Sequence, residues 1–326
     1  MNKKILIYNS GGGLGDSIQL FSLILTLQNH FKDSKFYYLG AHENHFLGKL
    51  KEYNITIETL NLNLKYFGFR WWHIFCVRRN ILKLGINRFD LVIDCQSKFR
   101  NTLILKKIPT DILYSKTLNY RFCTDIETKE ALKKTENSDI VNDLKIILKK
   151  DIKKIDYDIK NLSKKYHDEA IKLLPDKNYI GISLTQGNIY RKKSWPLNKF
   201  IILSKQLIAN GKKVVFFIEK NESELIKNLR EILPEAFFPE VNSKISCPAL
   251  VSALACRLEK IVSIDNGIMH MLALAKVPMV VLFGPTNSKK FAPNHKNVKI
   301  LDSKKLYNSK DISKIKVSDV YKEFIF

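Results

Sequence analysis

The sequence predicts an α/β protein built from two domains that face each other across a cleft. Three observations carry this. Short apolar strands alternate with amphipathic helices from Lys3 onward, and the same alternation restarts at Tyr179. A glycine-rich turn, SGGGLGD, follows the first strand directly. The stretch Lys260 to Thr286, KIVSIDNGIMHMLALAKVPMVVLFGPT, reads as strand, sharp turn, short helix and second strand. Asp265, Asn266 and Gly267 stand at its first junction, and Gly284, Pro285 and Thr286 lie past its second strand. In a parallel sheet both junctions open at one edge, the edge where open α/β sheets bind ligands.

Whole-chain properties bound the reading. A length of 326 residues suggests about two domains, and the boundary is expected near residue 165, giving domains 1–165 and 166–326. The N-terminal MNKKILIYNSGGG has too short an apolar run for a signal-peptide core, and no apolar run approaches the ~18 residues of a membrane span. A cytoplasmic protein is expected. The five cysteines are odd in number and form no CxxC pair, so neither a disulfide framework nor a metal site is indicated. A formal charge of +23 points to anionic partners: nucleotide phosphates, a phosphorylated lipid, an anionic membrane face or nucleic acid. A composition crowded with Lys, Asn and Ile explains part of that charge as background. The lysines are scattered and no RNA- or DNA-binding motif occurs, so no nucleic-acid partner is expected.

In chain order, KKILIY is a buried first strand bounded by Asn9 and Ser10, and SIQLFSLILTLQNHF is a helix with Ile18, Phe21, Ile24, Leu25 and Leu27 on its apolar face. The turn between them is neither GxGxxG nor GxxxxGK[ST], because Asp16 occupies the third glycine position and no Lys follows. A helix start stabilises an ionised carboxylate. Asp16 therefore suits presentation to a neutral hydroxyl, with glycines such as Gly13 allowing close approach to the backbone. Its competing role is to cap the helix. KFYYLG at residues 35–40 is a second strand, the stretch from Asn44 to Leu50 is helix-like, and Ile55 to Leu60 is a short third strand. GFRWWHIFCVRRN mixes Trp71, Trp72 and Phe75 with Arg70, Arg78 and Arg79. The expectation is a helix packing its aromatics inward; the alternative is docking on a phosphorylated or membrane-held substrate. FDLVIDCQSKFRN is the clearest strand of this half, with Gln96, Lys98 and Arg100 just past its end and on the edge that carries Asp16. The Lys-rich Leu132 to Lys165 suggests surface helices, and its Asp156 and Asp158 read as a solvated face rather than a metal pair.

The second half repeats the pattern. YIGISLT is a strand, and the polar turn from Gln186 to Lys193 carries Arg191, Lys192 and Lys193. Trp195 and Pro196 introduce a helix with Phe200, Ile201, Leu203 and Leu207 as its apolar face. KKVVFFIEKNESE is a strand running into acidic residues, a helix spans about Ser223 to Leu233, and CPALVSALACRLE is another helix leading into KIVSIDNG. Asp265 is expected to cap the short helix that follows, which is predicted to run to about Ala275, with Gly267 clearing space for a ligand. His270 lies on the same face as Asn266, where it reaches a ligand or serves as a core histidine.

Four blocks in order, GGLGDSIQ, FDLVIDCQ, KKSWPLNKF and SIDNGIMHMLALAKVPMVVLFGPT, make the chain resemble glycosyltransferase family 9, the ADP-heptose:lipopolysaccharide heptosyltransferases. The resemblance spans nearly the whole chain. It implies a GT-B architecture of two Rossmann-like domains, with the acceptor on the first and the sugar nucleotide on the second. It implies an inverting transfer of heptose from an ADP-heptose-type donor to a lipopolysaccharide core or related surface glycan, with no metal or other cofactor. By resemblance Asp16 is the general base, Lys193 contacts the donor phosphates, and Asp265, Asn266, Gly267 and His270 line the donor pocket. Thr185 and Glu222 complete that pocket, with Glu219 and Glu224 as rivals of Glu222. Gly13, Arg70, Gln96, Lys98 and Arg100 are the acceptor-side candidates, and a peripheral contact with the anionic inner membrane is expected. The family usually carries Thr or Ser where this chain has Asn266.

Alternatives stay open. A family member could transfer another sugar from another nucleotide. A nicotinamide-dependent dehydrogenase is disfavoured by the broken glycine motif. A non-catalytic binder of anionic ligands is suggested by charge alone.

Overall fold

The computed structural model describes residues 3–135, 139–185 and 193–324. The chain divides into two compact units, Met1–Tyr157 and Asp158–Phe326. The sequence puts the boundary near residue 165. The chain stays with the first unit up to Tyr157 because that ring is buried against Phe21 and Tyr53, with centroids 5.3 and 5.5 Å away.

The first unit holds a sheet of β1 (Lys4–Asn9), β2 (Lys35–Gly40), β3 (Glu58–Thr59), β4 (Phe89–Asp94) and β5 (Thr110–Ser115). The order is β3-β2-β1-β4-β5 and every pairing is parallel. Period-two side-chain alternation sends Leu6 and Tyr8 of β1 and Val92 of β4 into one core with Val77 and Ile81 of the helix His73–Lys83. β1 and β4 are buried on both faces, which is why they read as continuous apolar runs.

The second unit repeats the arrangement with β6 (Tyr179–Ser183), β7 (Lys213–Phe217), β8 (Leu258–Ile264), β9 (Met279–Phe283) and β10 (Val298–Asp302). These run in the order β10-β9-β8-β6-β7, again all parallel. Ile180, Ile182, Val214, Phe216, Val262 and Ile264 share a core with Phe200, Leu203 and Leu207 of the helix Leu197–Ala209. Trp195 is buried just before that helix, edge-on to Phe200, and its indole N–H donates to the Ile315 carbonyl at 2.9 Å.

Several local expectations change. The first helical stretch is two helices, Leu14–Ile18 and Phe21–His30. The third strand shrinks to Glu58–Thr59, and only a single 3₁₀ turn, His45–Leu47, forms within Asn44 to Leu50. The helix starting at Pro248 ends at Ala255, since Leu258 and Glu259 already belong to β8. Most consequential is the helix His73–Lys83. His73, Val77 and Ile81 face inward, whereas Trp71, Trp72 and Phe75 are 53, 59 and 86% exposed, so the inward-packed reading of these aromatics is overturned. The inward stripe at i, i+4 and i+8 is already filled by the other three side chains. Asp156 and Asp158 are exposed as expected.

Candidate active site

In an open parallel sheet the strand order reverses at one place, and the loops leaving the two flanking strands open a crevice there. In the first sheet this place lies between β1 and β4, and in the second between β6 and β8. In each unit an asparagine side chain bridges that reversal.

In the first unit the bridge is Asn9, which is fully buried at the end of β1. Its Oδ1 accepts from the Gly11 N–H at 2.9 Å and from Gln96 Nε2, past the end of β4, at 2.7 Å. Its Nδ2 donates to the Asp16 carbonyl at 3.4 Å. Gln96 is held in turn by the buried Asp94, whose Oδ1 accepts the Gln96 and Ser97 amides while Oδ2 accepts the Thr102 and Ser115 hydroxyls. Asp16 sits on the third residue of the five-residue helix and accepts the Gly13 N–H at 3.3 Å, so it does close the helix start. It is partly exposed, and its second oxygen is left for another partner by this one contact. The glycines make the approach possible. A Cβ at Gly11 would come within 2.4 Å of Asp16 Cγ, and one at Gly12 would meet the His42 ring at 2.4 Å.

The other first-unit candidates come from two segments, the turn before the helix His73–Lys83 and the start of the helix Phe99–Leu105. Arg100 Nε donates to the Gly68 carbonyl at 2.9 Å and its guanidinium lies 5.9 Å from the Trp71 ring, while Arg70 lies 5.5 Å from Trp72. Gly68 needs a positive φ of 86°, and a Cβ there would collide with the Tyr8 hydroxyl. Burial first, and then Arg100 and Arg70, push the pKa of His73 down, and its Nδ1 accepts from the Gly68 amide at 3.2 Å. Lys98 is the exposed residue before the helix Phe99–Leu105.

In the second unit the bridge is Asn266. Its Nδ2 donates to Ser183 Oγ and to the Thr185 carbonyl, both at 2.8 Å, and its Oδ1 accepts from the Met269 amide at 2.7 Å. Asn266, not Asp265, therefore caps the helix Gly267–Ala273, which ends short of Ala275. Thr or Ser could cap equally but has no amide to reach β6. With the cap taken, Asp265 is released for another partner: Lys193 Nζ lies 2.6 Å from its carboxylate and 3.4 Å from its carbonyl. Both side chains are largely buried, 14 and 8% exposed, so the pair is little screened. His270 is buried within the helix, and Glu222 is exposed at the start of the helix Ser223–Ile232. The rest of the polar turn, residues 186–192, lies outside the described residues.

The structure thus brings together Gly13, Asp16 and Gln96 through Asn9, and Thr185, Lys193, Asp265, Asn266 and Gly267 through Asn266. Arg70 and Arg100 form a neighbouring group. Sequence reading missed Asn9, Asp94 and His42; the positions of Asn9 and Asp94 at strand ends were the signals available for the first two.

Two parallel doubly wound units, each with polar groups at its reversal point, define a two-domain α/β fold of Rossmann-like units. Glycosyltransferase family 9 (heptosyltransferase) matches residues 77–322, and the chain belongs to that family. It is a glycosyltransferase of GT-B architecture. It is 24% identical over 292 residues to lipooligosaccharide heptosyltransferase 2 of Campylobacter jejuni, covering 88% of this chain and 83% of that one. The Haemophilus influenzae protein of the same name is 28% identical over a shorter 104 residues, 31% of this chain and 30% of that protein. Among solved structures, a family 9 glycosyltransferase from Veillonella parvula superposes with a TM-score of 0.66 at 20% identity, covering 99% of this chain and 96% of that one. The E. coli heptosyltransferase WaaC with ADP superposes with a TM-score of 0.62 at 16% identity, covering 98% of both.

Proposed function

We propose that the protein transfers heptose, with inversion, from an ADP-heptose-type donor to a hydroxyl of a lipopolysaccharide core or related surface glycan. The observation that carries this reading is the Lys193–Asp265 pair beside the β6/β8 reversal, inside the span matched by the family. Family membership and the ADP in the related E. coli structure support the nucleotide.

In this reading the second unit holds the donor. Lys193 turns part of its contact from Asp265 to the diphosphate, neutralising the charge that grows on the departing nucleotide. Asp265, Gly267, Thr185, Glu222 and His270 line the donor pocket, and Asn266 shapes it by fixing the helix start against β6. The first unit supplies the base: Asp16, with one oxygen on the Gly13 amide, takes the acceptor proton with the other. Gly13, Gln96, Lys98, Arg70 and Arg100 hold a phosphorylated glycolipid acceptor, the guanidiniums gripping its phosphates. No metal or cofactor takes part in this scheme. The enzyme acts in the cytoplasm, peripheral to the inner membrane.

A thermal-shift screen of nucleoside diphosphates and nucleotide sugars tests the reading. A ligand at about a hundred times its Kd stabilises the fold by ~2.7 kcal/mol. Selective stabilisation by ADP and ADP-sugars is expected. Selectivity for UDP or GDP would keep the fold and discard the donor.

A further inference from the structure

The exposed aromatics of the first unit lie beside a basic cavity that the transfer reading does not use. Along the helix His73–Lys83, Phe75, Arg78, Arg79 and Leu82 follow at i, i+3, i+4 and i+7, so they share one outward face. Phe75 is 86% exposed and Leu82 45%, and with Arg78, Arg79 and Lys83 they line a shallow groove of about 510 Å³. Trp71 and Trp72, both more than half exposed, precede the helix in the chain. A second cavity, of about 590 Å³, shares Arg78 with the groove and adds Lys106, Lys107, Arg121 and Lys129. No Asp or Glu lines it, and none of these five cations is ion-paired among the described residues. Exposed Phe, Leu and Trp in one patch are costly in water, and the cations beside them leave the patch strongly basic. They match a surface that offers an apolar interior behind anionic groups.

We infer that this face is a membrane-docking surface whose occupant is an anionic phospholipid bilayer. The outward aromatics enter the headgroup boundary, and the five-cation cavity receives lipid phosphates. Charge complementarity favours this occupant: cations near a membrane surface are drawn to anionic lipid over about a Debye length, and Trp is favoured at the lipid–water boundary. The inference takes up the membrane contact of the proposed function and gives it a surface. Its test contains no nucleotide sugar, so its failure would leave the transfer reading standing.

The protein has three tryptophans, and Trp195 is buried, so a change in emission on adding vesicles reads Trp71 and Trp72. Vesicles of phosphatidylcholine alone are compared with vesicles containing phosphatidylglycerol, by sedimentation and by fluorescence. The full chain is expected to sediment with the phosphatidylglycerol vesicles only, with a blue shift. Phe75→Ser with Leu82→Ser, and separately Lys106→Glu with Arg121→Glu, should each weaken partitioning by about tenfold. Lys304→Glu with Lys305→Glu, the same charge change on the second unit, should not. Three results would overturn the proposal: no partitioning, partitioning without a blue shift, or equal weakening by the second-unit variant. Tighter binding to a single-stranded oligonucleotide than to vesicles, lost in the same variants, would also reassign the surface.

Discussion

The Lys193 ammonium lies 2.6 Å from the Asp265 carboxylate, joining the segment after β6 to the segment after β8 across the point where the strand order reverses. The pair is available because Asn266, the next residue, takes over capping of the helix. A charge pair so little exposed is one in which removing one partner strands the other.

Lys193→Ala should therefore have two effects. Loss of the cation should weaken nucleotide binding or turnover by about tenfold or more, and the stranded Asp265 should cost about 3 kcal/mol of stability. Donor titration and denaturant unfolding of the same variant separate the two. An unchanged titration and rate would remove Lys193 from the donor site.

Asn266→Thr replaces the residue by the type usual in the family. The hydroxyl can still cap the Met269 amide, but the bonds to Ser183 and Thr185 are lost. A destabilisation of about 1–3 kcal/mol is expected, measured as a lower denaturation midpoint, because the buried Ser183 hydroxyl and the partly buried Thr185 carbonyl lose their donor. Stability equal to that of the parent would mean that the amide bridge contributes nothing.

Legibility of the chain divided along physical lines. β1, β4, β8 and β9 were readable because their central residues are buried on both faces and mostly apolar, as in ILIY, LVI, IVSI and MVVLF. β5 and β10 were not. Both are edge strands, TDILYS and VKILD, in which polar residues interrupt the apolar run. Asp16 and Asp265 were legible as carboxylates at strand-to-helix turns, a local pattern. The partnership of Asn9 with Gln96 was not, since it joins residues 87 positions apart and no spacing rule reaches that far. Nor did the aromatic helix reveal which way it faced: Phe75 is outward because His73, Val77 and Ile81 already fill the inward stripe.

Glu240 gives a pH signature in the second unit. Burial, and then the nearby Glu219, push its pKa up to about 8, and its Oε1 has no hydrogen-bond partner among the described residues. The folded protein keeps this proton where the unfolded chain, with its ordinary value of 4.5, has released it. Stability should thus fall as pH rises from about 4.5 to about 8 and level off above, with a slope of about 1.4 kcal/mol per pH unit from this group. Glu240→Gln should remove that slope and be the more stable protein at pH 8. Parallel unfolding profiles for the two proteins would show that Glu240 does not titrate in the fold as argued.

The central claim is that a carboxylate of the first unit deprotonates the acceptor while the second unit holds the nucleotide. Asp16→Asn keeps a side-chain oxygen to accept from the Gly13 amide but cannot take a proton. The decisive measurement is ADP release from ADP-heptose in the presence of a lipopolysaccharide-core acceptor, with ADP affinity measured on the same preparations. The account predicts that Asp16→Asn binds ADP as the parent does and turns over about a hundredfold more slowly or worse. A folded Asp16→Asn protein that releases ADP at the parent's rate would contradict it.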